Sequence, residues 1–79
     1  MAPLITTSSS AETVLSGKYV IDYVSVSGMS DGNSVILKDK DDNEVATLVF
    51  DGDIRPIDGI IDGLKITAIT DGTVYVVYR

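Results

Sequence analysis

The sequence contains no cysteine and no histidine. Without cysteine, neither a disulfide nor a thiolate metal site can brace the fold. Without histidine, the commonest general base and the commonest transition-metal ligand are missing, and a histidine-based triad is excluded. Basic residues are scarce, six against twelve acids, for a formal net charge of −6. Nucleic-acid binding needs a basic footprint, so no nucleic acid is expected as a partner. An anionic membrane surface is disfavoured for the same reason, and no apolar run approaches the roughly 20 residues of a membrane-spanning helix. The opening MAPLITTSSSAET lacks a basic start and a continuous apolar stretch, so it does not read as a signal peptide. No G-x-S-x-G, P-loop or glycine-rich dinucleotide fingerprint occurs. The chain is read as a non-enzyme with no cofactor, no metal and no catalytic residue.

What is present is β pattern. Residues 18–27 (KYVIDYVSVS) are rich in Tyr, Val and Ile, and GMSDGN follows as a turn. Residues 33–38, 44–50, 64–70 and 73–79 alternate in the strand manner. Pro56 cannot donate to a ladder, which makes residues 54–57 an edge or irregular piece. Asp-Gly occurs at positions 31, 51, 58, 62 and 71, each where a strand is expected to end. Asp71–Gly72 is the strongest hairpin signal. The expectation is an all-β fold: a small antiparallel β-sandwich or barrel of about 6–8 short strands. Residues 1–17, Ser/Thr-rich and ending at Gly17, read as an N-terminal arm with short strands at residues 4–7 and near 13–15, and residues 18–79 as a single β domain. A chain of 79 residues buries only about 60% of its unfolded surface and is marginal alone. Oligomerisation is the remaining usual route to stability.

Residues 39–44, DKDDNE, hold four acids and an amide. Asp39, Asp41 and Asn43 fit the first, third and fifth positions of a calcium loop. Glu44 stands where Gly is needed and Phe50 where a bidentate Glu is needed. The better reading is the polar tip of a hairpin, because Asp and Asn side chains bond the local backbone in turns. Residues 54–65, IRPIDGIIDGLK, place Ile60 and Ile61 between two Asp-Gly pairs, where they either plug the end of the body or meet another subunit. The last strand is apolar on both faces, which means either a central position or a second face that meets a partner; on the latter reading Tyr75 and Val77 join Ile60 and Ile61 as candidate subunit contacts. Leu4, Ile5 and Val14 are the candidate anchors of the arm to a partner.

The arm MAPLITTSSSAETVLSG, the acidic cysteine-free body and the ending DGLKITAITDGTVYVVYR resemble small all-β virion accessory proteins of tailed bacteriophages. These are capsid decoration (cement) proteins and the knob modules of fibres. The resemblance implies a homo-oligomer, commonly a trimer, bound to the outside of a capsid through the major capsid protein or another virion protein. It implies a location in the virion after synthesis in the host cytoplasm. The expected function is a capsid decoration protein that stabilises the assembled shell. The alternative is a receptor- or glycan-binding knob, with a site on the loops at residues 27–33, 39–44 and 51–63.

Overall fold

The computed structural model describes residues 3–79. Six strands make up the described chain: β1 (Leu4–Ser8), β2 (Thr13–Ser27), β3 (Val35–Lys38), β4 (Glu44–Leu48), β5 (Ile54–Ile69) and β6 (Thr73–Tyr78). They form one antiparallel sheet in the order β1-β6-β2-β5-β3-β4. The all-β class expected from the sequence is the class observed.

The core explains how one sheet makes a closed body. Ile21, Val24, Val35, Leu37, Leu48, Leu64, Val74 and Val76 are completely buried, and they come from β2, β3, β4, β5 and β6. No helix is present among the described residues to cover one face. The sheet therefore curls over and covers itself, and its two halves share one core. Each such side chain contributes roughly 1.5–3 kcal/mol of burial.

The long strands β2 and β5 carry the curl. They pair along most of their length, with register shifts at Thr13/Leu15, Leu15/Lys18 and Ile21/Tyr23. Ile21 faces Gly59 and Tyr23 faces Pro56, so Ile57 and Asp58 stand opposite Asp22 alone. Asp58 takes the extra residue with φ 51°. Leu15 faces Leu64 and Lys18 faces Asp62, so Ser16 and Gly17 stand opposite Gly63. Extra residues of this kind bend a strand and increase its twist.

Several expectations are corrected here. The strands are not all short, since β2 has 15 residues and β5 has 16. Asp58–Gly59 and Asp62–Gly63 do not end strands, because β5 runs through both. Asp71–Gly72 joins strands that are not neighbours: β6 lies against β1 and β2, whereas β5 lies against β2 and β3. The link carries the chain from one half of the curled sheet to the other, and Gly72 (φ +94°) fits close against Val26, Ser27 and Met29. The short strands expected near residues 4–7 and 13–15 are present, but as part of the one sheet and not of a separate arm. β1 pairs with β6 from Leu4–Tyr78 to Ser8–Val74, and β2 begins at Thr13, so Gly17 lies inside a strand. Pro56 does sit on an open edge: β2 flanks it on one side, while β3 reaches only Lys65–Ile69 of β5.

Candidate functional site

Register and alternation define the outer face of the sheet. Core residues Val24, Val26, Val74 and Val76 point inward, so Tyr23, Ser25, Tyr75 and Val77 point outward. Across the strands, Ile5 pairs with Val77, Val77 with Tyr23, and Tyr23 with Pro56. The adjacent row runs Thr7, Tyr75, Ser25, Ile54. These eight residues span four strands and include no charged side chain, in a chain of net charge −6.

Much of this face meets solvent. Ile5 is 67% exposed and Ile54 59%, and Tyr23 and Tyr75 are each more than a third exposed. Val77 is buried although it points outward, and it is not part of the core cluster. Its neighbours on the face cover it. Tyr23 and Tyr75 are diagonal neighbours on β2 and β6, a separation of about 7–8 Å that large side chains can bridge. Two ion pairs stand at its margins. Arg79 Nε lies 3.1 Å from Asp22 Oδ1, and Arg55 Nε lies 3.4 Å from Asp53 Oδ2. These are the only two arginines of the chain.

The structure brings some of the candidate residues together and separates others. Ile5, Tyr75 and Val77 meet on this face. Leu4 lies on the opposite side of β1, paired with Tyr78. Val14 and Ile61 are half-buried and pack against the core. Ile60 is the most exposed large apolar side chain among the described residues, at 69%, and it faces outward beside Val20. Sequence reading did not assign Tyr23, Ile54 and Pro56 to the face. Tyr23 alternates with Val24 and shows its direction locally, but the extra residue at Asp58 hides the link to Pro56 and Ile54.

The acidic loops serve the fold. In the β3–β4 turn, Asp39 Oδ1 accepts the backbone N–H of Asp41 at 2.9 Å and of Asn43 at 3.0 Å. Its Oδ2 accepts the Asn43 side-chain amide at 3.2 Å. These bonds, the Asn43 N–H first, hold the Asp39 carboxyl below its ordinary range. Asp42 is lowered chiefly by its hydrogen bond to Lys65, at 2.6 Å. Lys40 is raised by Asp62, which lies 3.1 Å away. At the other end, Asp51 Oδ1 accepts the N–H of Gly28 at 2.7 Å. Asp71 accepts from the Ser30 backbone N–H, the Ser30 hydroxyl and the Asn33 amide. Buried Asp53 accepts the N–H of Val49 at 3.0 Å. Two of the three loops expected of a glycan site, residues 27–33 and 51–63, are thus stitched together by aspartates.

Among the described residues, no three His, Cys, Asp or Glu side chains are grouped to hold a metal ion. Nor is there, among the described residues, a helix long and apolar enough to cross a membrane. No protein family, curated protein sequence or solved structure matches the chain.

Proposed function

We propose that this chain is a structural protein that acts by docking, a virion accessory protein that decorates the exterior of an assembled capsid. One observation carries the reading: the uncharged, solvent-facing band Ile5–Val77–Tyr23–Pro56 with Tyr75 and Ile54 beside it. An acidic chain of this size that leaves aromatic and branched side chains on a rigid sheet has a surface suited to a protein partner. Its partners are then copies of itself and a capsid or other virion protein. The mechanism is mass action: binding the assembled lattice and not the free subunits stabilises the lattice.

Co-sedimentation with purified capsids tests the reading. The wild-type chain is expected to pellet with capsids and to raise their melting temperature. The Tyr23→Ser/Tyr75→Ser variant is expected to stay in the supernatant while remaining folded. A wild-type chain that never pellets with capsids refutes the proposal.

The neighbouring tyrosines also suit a second reading, a sugar-stacking platform on a fibre knob. Binding on a glycan array that is lost in the same variant, with no capsid binding, would select it.

A further inference from the structure

We propose that the free edge of β1 pairs antiparallel with β1 of a second copy, about a two-fold axis, to give a homodimer with a continuous twelve-stranded sheet. A sheet edge offers a row of unpaired N–H and C=O groups, and natural edges are guarded by charge, proline or bulges. Among the described residues, the other open stretches are guarded. The free side of β5 carries Arg55, Pro56 and the bulge at Asp58. β4 starts at Glu44 and follows the acidic turn Asp39–Asp42. The open part of β2 carries Lys18 and the bulge at Gly17.

Within β1 there is none of these devices; Pro3 stands just before its first residue. LITTS is uncharged and proline-free, and its pairing with β6 shows no register shift. No charged residue occurs from Pro3 to Ala11. The nearest downstream charge, Glu12, accepts the hydroxyl of Ser8. The rest of the chain is acidic, so two copies repel each other wherever acids would meet. The β1 edge is where two copies approach without that cost. Leu4 and Ile5 are more than half exposed there, and a second β1 covers them.

A two-fold axis normal to the sheet keeps outer faces together. The uncharged band of one copy then continues into that of the other through Ile5 and Thr7. The interface is self-complementary, as two-fold contacts must be.

The test is the molar mass of the full chain by light scattering after gel filtration, for wild type and two variants. The wild type is expected to run as a dimer. Thr7→Lys adds a charge at an exposed edge position and is expected to halve the mass with an unchanged far-UV spectrum. Tyr23→Ser, two strands inward, is expected to keep the dimer while reducing capsid binding, which separates this contact from the docking face. A wild-type monomer or trimer overturns the proposal, as does a folded Thr7→Lys dimer. Amide exchange on the wild-type chain needs no variant. Protection of consecutive amides through Leu4–Ser8 supports the pairing, and fast exchange at alternate residues overturns it.

Discussion

The Asp71 carboxylate accepts the Ser30 hydroxyl at 2.6 Å and so ties the β5–β6 link to the loop after β2. With the Asn33 amide, these contacts hold the Asp71 carboxyl below its ordinary range, the Ser30 hydroxyl first among them. A carboxyl whose pKa is lower folded than unfolded adds stability above its unfolded value, and that stability is lost as pH falls through the folded value. Melting temperature is expected to drop as pH falls below about 4. Asp71→Asn is expected to melt lower at neutral pH and to show a shallower acid limb. Asp39 and Asp42 remain to supply part of that limb, because both are lowered as well. Identical acid limbs in the two proteins would refute the role given to Asp71.

The β3–β4 turn predicts indifference to calcium. Both oxygens of Asp39 are taken by Asp41 and Asn43, and Asp42 is paired with Lys65. A bound cation would have to displace these partners. Thermal melts in millimolar calcium and in EDTA are expected to superimpose. A calcium-dependent rise in melting temperature would show a site that these contacts do not describe.

Two glycines with similar backbone angles are predicted to differ under substitution. Gly63 (φ +75°) is buried, and an added Cβ would stand 3.1 Å from the Cβ of Lys40. Gly52 (φ +82°) faces open space. Gly52→Ala is expected to cost about 1–2 kcal/mol, the left-handed backbone penalty alone. Gly63→Ala is expected to cost more, since the β3–β4 turn must also shift. Chemical denaturation of the pair measures the difference, and equal losses would mean that the turn gives way freely.

Removal of residues 1–16 is predicted to unfold the protein, not merely to detach a tail. It deletes the ladder of β1 on β6 and takes Leu15, which is 7% exposed and part of the core. Truncating one buried leucine costs about 2–5 kcal/mol, a large part of the roughly 5–15 kcal/mol that holds a typical domain. Loss of the cooperative thermal transition is expected. A truncated chain that melts like wild type would show that the first 16 residues are dispensable after all.

The alternation of Val24 with Ser25 and of Val74 with Tyr75 made the all-β class and most of the core readable from the sequence. The outer-facing Tyr75 and Val77 were readable for the same reason. The course of β5 was not. Local chemistry gives Asp-Gly as a turn, but at Asp58 the positive φ belongs to a bulge inside β5, and at Gly63 it stands opposite the bulge of β2 at Gly17. That choice is enforced by pairing with β2, which lies more than 30 residues away along the chain. The role of Asp71 was hidden similarly, because its partners are Ser30 and Asn33. The face joining Ile5 to Ile54 depends on four strands drawn from both ends of the sequence. Only the register reveals it.

Leu4 stands opposite Tyr78, and Arg79 goes on to pair with Val20, so the two ends of the described chain lie side by side at one end of the β1–β6 ladder. Tension between the ends would load the β1–β6 ladder one hydrogen bond at a time, as a zip opens, and not all bonds together in shear. Such a ladder peels at low force. A protein built this way is poorly suited to carry load as a link in a strung-out fibre.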